Sequence, residues 1–198
     1  DDFVKTGASV FGYNEDFNGE SQEGVGYYQT TQKDGKRCSA AKAYLVPILD
    51  RENLTILTDT NVNKIITEGN RASGVSCINE EGEEFFVQAT KEILLSSGAF
   101  GSPQILLRSG IGPDDEIIKH GIEHKINLPG VGKNLQDHID YLSVHKHKSI
   151  NLIGFSLGTI FFKFPYEILK YIFAKTGLFT STVAEAGGFI RSRNDISV

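Results

Sequence analysis

The chain contains no methionine, and its only cysteines are Cys38 and Cys77. Two thiols cannot build a disulfide framework or a metal cluster. Cys77 sits in the apolar stretch 74–78 and reads as a buried thiol. Basic residues are not in excess: 20 Lys and Arg stand against 25 Asp and Glu, a net charge of −5. That balance argues against a general nucleic-acid binder. No apolar run approaches the roughly 20 residues a membrane helix needs, because Lys163 and Pro165 cut short the uncharged stretch 153–162. Internal repeats and low-complexity tracts are missing, and no leader segment is visible. The chain opens Asp-Asp-Phe and stops at Val198 inside a polar stretch. It reads as an internal piece of a longer protein. What remains is ordinary globular composition, 39% hydrophobic and 23% charged. Its 198 residues suffice for one domain core or parts of two.

The most informative stretch is Ser-Gly-Ala-Phe-Gly-Ser-Pro-Gln-Ile-Leu-Leu-Arg-Ser-Gly-Ile-Gly, residues 97–112. Before it, Glu92-Ile93-Leu94-Leu95 reads as a short buried strand. Gly98, Ala99 and Gly101 allow a tight turn and a close approach of backbone to ligand. Ser102 can cap the following helix, with Pro103 in its first turn. Gly110 suits a left-handed stop. A strand thus feeds a glycine turn and a helix N-terminus, where free N–H groups and the helix dipole favour an anion such as a cofactor pyrophosphate.

Around this unit, residues 1–36 are rich in Gly, Asn, Asp and Gln and read as surface loop. Residues 39–49 form a helix candidate capped by Ser39. Stretches 54–58 and 62–67 alternate like strands. Stretches 73–78 and 84–89 flank Glu80-Glu81-Gly82-Glu83 as a hairpin, and 91–96 is the next strand. Pro113 starts a second helix, with Asp114, Asp115 and Glu116 in its first turn, Lys119 and His120 in its last, and Gly121 beyond. Stretch 122–128 alternates again before the Pro129-Gly130 turn. A further helix runs from Pro165 to about Lys175, with Ile168, Leu169, Ile172 and Phe173 on one face and Gly177 ending it. That face reads as packed on a domain rather than as a lid or a membrane patch.

Four ordered blocks resemble the glucose–methanol–choline oxidoreductases, FAD-dependent alcohol oxidases and dehydrogenases. They are Gly101–112 within the stretch above, Gly35-Lys36-Arg37-Cys38-Ser39 with Tyr44-Leu45, Leu54-Thr55-Ile56-Leu57-Thr58 with Val62 and Gly74-Val75, and Pro129-Gly130-Val131-Gly132-Lys133-Asn134-Leu135-Gln136-Asp137-His138. The wording is closest to an animal glucose-dehydrogenase-like branch. The resemblance implies a mixed α/β (α+β) chain. Residues 1–136 would form part of a Rossmann-type FAD-binding domain, and 137–198 the start of an antiparallel-sheet substrate domain. It implies oxidation of an alcohol or sugar hydroxyl by hydride transfer to flavin, with quinone or oxygen as electron acceptor. A flavin-retaining lyase or an inactive binding scaffold are the alternatives. The resemblance fixes no compartment, although it is compatible with secretion.

The family's G-x-G-x-x-G fingerprint does not occur in the chain, and no histidine here matches the family's catalytic one, so no catalytic residue is expected within these residues. FAD contacts carry over to Val62, at the adenine, and to Gly98, Ala99 and Ser102 on the adenosine or pyrophosphate side. Asn134 and Asp137 read as turn-holding residues. Asp137 and His138 would point to opposite faces of an extended chain, which favours structural roles. His145 and His147 share a strand face, but without a third ligand they read as solvated side chains rather than a metal site. No metal, nucleic-acid or membrane partner is expected.

Overall fold

The computed structural model describes residues 2–144, 156–182, 184–193 and 195. His145 and His147 lie outside them. The elements in chain order are α1 (Asp2–Phe11), β1 (Gly24–Tyr27), β2 (Gln32–Lys33), β3 (Lys36–Arg37), β4 (Asn61–Glu68), β5 (Arg71–Ile78), β6 (Glu84–Gln88), α2 (Gly98–Arg108), β7 (Ile111–Gly112), α3 (Asp114–Lys119), β8 (Ile126–Asn127), α4 (Phe164–Ala174) and β9 (Ala186–Phe189). They gather into two compact units, one of Asp1–Leu54 with Val144–Val198 and one of Thr55–Ser143.

In the Thr55–Ser143 unit, β4, β5 and β6 form an antiparallel sheet with β5 in the middle. Val62 stands opposite Cys77, and Ile65 opposite Val75. In this central strand, covered on both edges, Cys77 is only 3% exposed and its neighbour Ser76 is buried as well. Burial without a charge partner pushes its thiol pKa up. Asn79 closes the hairpin: its backbone N–H donates to the Glu83 carbonyl, and its Oδ1 accepts the Glu83 N–H at 2.7 Å. Helix α2 packs on β4 and β7, and α3 on β7. Ile105, Ile111 and Ile117 supply their buried residues. Gly110 ends α2 with φ +80°, and a Cβ there would run into the Glu123 carbonyl. Only glycine fits, because the Gly110 carbonyl also receives the Lys125 N–H at 2.9 Å to bring β8 alongside β7.

In the other unit, β1 and β9 pair antiparallel, Gly24 opposite Phe189 and Tyr27 opposite Ala186. Helix α1 packs on both strands, burying Val4 and Val25. Gly7 faces the Val25 methyls, 2.9 Å from where its Cβ would be. Phe17 joins this core between Tyr28 and Phe189, at ring distances of 5.6 and 5.3 Å. Strands β2 and β3 form a hairpin closed by Asp34-Gly35, both left-handed (φ 53° and 66°), as a two-residue turn requires.

Several sequence expectations give way. Residues 1–36 are not plain loop. They hold α1, β1, β2 and the start of β3, and α1 and β1 are stabilised by β9, about 160 positions downstream, a contact no local pattern reveals. Residues 54–58 and 91–96 belong to no strand among the described residues. Ile93 and Leu95 are half-buried while Leu94 is 81% exposed, so the pleat is right but the expected buried strand has no partner among the described residues. The helix after Ser39 is distorted into a wide π turn (Ala41–Leu45) and a 3-10 turn (Val46–Ile48), because Pro47 cannot donate to the ladder. Ser39 does cap it, its Oγ accepting the Lys42 N–H at 3.3 Å. Helix α4 forms where expected, but its apolar face is exposed.

Candidate functional site

The best-formed candidate site lies along α2. The helix starts one turn earlier than the sequence suggests, at Gly98, so Ser102 is not its N-cap. Ser102 reaches back instead: its Oγ accepts the Ser97 N–H at 3.0 Å, satisfying one of the donors a helix start leaves open. Pro103, inside the helix, has no N–H for the carbonyl a turn before it. Gly98 has φ +82°, with nothing within 4 Å of where a Cβ would stand. Glycine is needed there for its backbone, and the space beside it is open.

An open cleft of about 960 Å³ borders the outer side of α2. Ala99, Pro103 and Leu107 line it from the helix, His120 and Ile122 from beyond α3, and Asn134 from the turn after Pro129. Its walls are largely apolar, and their charged side chains are Arg108 and Lys133, with no carboxylate. An apolar wall with a few cations and adjacent helix-start N–H groups suits a ligand that is partly flat and partly anionic.

The other end of α2 is fixed to the sheet. Ser109, 3% exposed, donates from Oγ to the Ile105 carbonyl at 2.5 Å and accepts the Ile65 N–H at 2.8 Å. The Arg108 guanidinium donates to Asn63 Oδ1. Both links hold α2 on β4, the strand carrying Val62. The structure thus places Gly98, Ala99 and Ser102 together on one helix turn, Ala99 in the cleft wall, and Val62 on the strand beneath, outside the lining. Sequence reading missed Ser109, Arg108 and Lys133. The pairing of Ser109 with Ile65 spans 44 residues, and only the unusual burial of a serine marks it.

The histidines assemble no catalytic pair among the described residues. His120 is the C-cap of α3, its backbone N–H donating to the Ile117 carbonyl. His124 Nε2 lies 2.9 Å from Asp114 Oδ1, close but not aligned as a hydrogen bond. Asp137 Oδ1 accepts the N–H of His138 at 2.8 Å, a local backbone role. Asn134 takes the left-handed conformation, φ 57°, at its turn. No group of three or more metal-ligating side chains is found among the described residues.

The GMC oxidoreductase family model matches residues 2–140. An alcohol dehydrogenase [acceptor] of Pseudomonas putida is 42% identical over 195 residues, covering 96% of this chain and 35% of its own length. An oxygen-dependent choline dehydrogenase of Staphylococcus saprophyticus is 41% identical, covering 93% and 33%. A solved FAD-dependent oxidoreductase from Chaetomium thermophilum superposes with a TM-score of 0.73 at 29% identity, over 90% of this chain and 32% of that one. The chain thus spans about a third of the length of these relatives. The motif blocks, the α2 turn and these matches agree: the chain belongs to the GMC oxidoreductase family.

Proposed function

We propose that the chain supplies the adenosine-side part of an FAD site in an enzyme that oxidises an alcohol or sugar hydroxyl, with quinone or oxygen as acceptor. The observation that carries this reading is the start of α2. Gly98 opens the backbone beside a helix N-terminus, next to a cleft whose charged walls are cationic. That donor set fits a diphosphate, and the apolar wall of Ala99 and Leu107 fits a flat ring system. In this reading Gly98 and Ala99 let the pyrophosphate approach the chain, and Ser102 holds the helix start. Val62 presents strand backbone to the adenine edge. FAD, when bound, supplies the hydride acceptor. This chain's residues bind and orient it. The proton acceptor for the substrate hydroxyl belongs to residues outside the chain, as do the glycine fingerprint and the rest of the substrate wall. Residues 1–136 are assigned to the cofactor part and 137–198 to the substrate part on motif order. The animal glucose-dehydrogenase-like branch remains the finer placement, supported by the wording of residues 97–112.

The full-length protein is expected to purify with flavin and to bleach anaerobically when given an alcohol or sugar. The 198-residue chain alone is expected to reduce no dye. A full-length protein without flavin would overturn the cofactor reading. A flavin left oxidised through turnover would favour the lyase.

A further inference from the structure

Arg108, one of the cations in the α2 cleft, is tied to a chain of polar side chains that crosses the sheet. It donates a guanidinium N–H to Asn63 Oδ1, Asn63 Nδ2 donates to Glu84 Oε1 at 3.3 Å, and Ser76 Oγ donates to the same oxygen at 2.7 Å. The chain therefore joins α2 to β4 and β6, and the buried Ser76 supports it from β5 between them. The Asn63 amide can serve both neighbours only one way round, because a guanidinium only donates and a carboxylate only accepts. The bond from Ser76, and after it the bond from Asn63, hold the Glu84 carboxyl below its ordinary range, so it is ionised at neutral pH.

A bulge places Asn63. Val62 pairs with Cys77 and Lys64 with the adjacent Ser76, so Asn63 is the extra residue between them. Bulges re-aim side chains that a regular ladder would hold in alternation. Holding the helix does not require this link, since the buried Ser109 already binds the end of α2 to Ile65 of β4. What the link adds is a fixed guanidinium. Arginine has several N–H donors, and those not used on Asn63 have no hydrogen-bond partner among the described residues.

We propose that Asn63 and Glu84 are positioning residues for the cofactor, holding Arg108 as a fixed cation at the adenosine end of the FAD site. The inference rests on the FAD reading above, in which Val62, the neighbour of Asn63, serves the adenine edge and the start of α2 serves the diphosphate. Gly98 opens α2 and Arg108 closes it, about 15 Å apart along the axis. Arg108 therefore serves the part of the cofactor that lies away from the helix start. Glu84 acts through Asn63: its charge strengthens the bond to the amide, and the amide restrains the guanidinium. A long side chain loses rotamer freedom when it takes a ligand, and a restraint already in place lowers that loss.

The test is release of FAD from the full-length protein on dilution, read by flavin fluorescence, with ADP and inorganic diphosphate as competitors. Arg108→Ala is expected to weaken FAD binding by about tenfold, Asn63→Ala by about fivefold and Glu84→Gln by about threefold. ADP, which carries the adenosine end without the flavin, should weaken by the same factors, and inorganic diphosphate should not change. In the Arg108→Ala background, Asn63→Ala and Glu84→Gln should have no further effect on FAD affinity, because both act through Arg108. Glu84→Gln keeps the shape of the network and serves where a truncation fails to fold. Three results would overturn this inference and leave the FAD reading standing: variants that bind FAD and ADP as tightly as the parent, additive losses in the Arg108→Ala background, or equal losses for ADP and inorganic diphosphate. A full-length protein that holds no FAD would overturn both.

Discussion

Helices α2 and α4 each span 11 residues, each contain a proline, and sit in different units. α4 is the more apolar in sequence, yet its buried residue is the acid Glu167, while α2 buries Ile105. The difference lies in what surrounds them. α2 has a sheet on one side and is tied to it by Ser109 and Arg108. α4 has one short turn, whose free Leu178 N–H draws Glu167 inward. Hydrophobic sequence makes a face available for burial, and neighbouring elements decide whether it is buried.

The sharpest way to break this comparison is to truncate one apolar residue in each helix. Ile105→Ala should cost about 2–5 kcal/mol, whereas Leu169→Ala should stay within about 0.5 kcal/mol. Urea unfolding of the two variants measures both, and equal costs would show that α4 is covered after all. Ser109→Ala comes next, at about 1–3 kcal/mol, because it leaves the buried Ile65 N–H without an acceptor. Gly98→Ala should be milder, about 1–2 kcal/mol for the left-handed backbone. In the full-length protein it should lower the flavin-to-protein ratio more than it lowers the melting temperature.

The smallest expected effect concerns acid. The Leu178 N–H, and after it Lys170, hold the Glu167 carboxyl below its ordinary range. A depressed carboxyl stabilises the fold above its unfolded pKa, and that contribution fades as pH falls through the folded value. Glu167→Gln should therefore flatten the loss of stability below about pH 4.3, the ordinary Glu value, as followed by thermal melts across an acid series.

Local chemistry made much of this legible beforehand. The acidic first turn of α3, the glycine stop of α2, the 80–83 hairpin and the α4 boundaries all follow from residues within a few positions of one another. What escaped depends on distance in sequence. The β1–β9 pairing and the Ser109–Ile65 bond join residues that no window spans. The cations Arg108 and Lys133 are brought to one cleft only by the turn after Pro129. Ser102 was misplaced by a single turn because Ser-Pro is also a strong helix-start signal, and here Gly98 starts the helix instead.

The run at residues 92–96 has one more consequence. Its exposure alternates as in a strand, Ile93 and Leu95 half-buried and Leu94 exposed, and it joins no ladder among the described residues. A bare edge of this kind is a template for another chain. At high concentration the 198-residue polypeptide should therefore recruit copies of itself by strand addition at this run, into thioflavin-positive assemblies, and Leu94→Lys should suppress them.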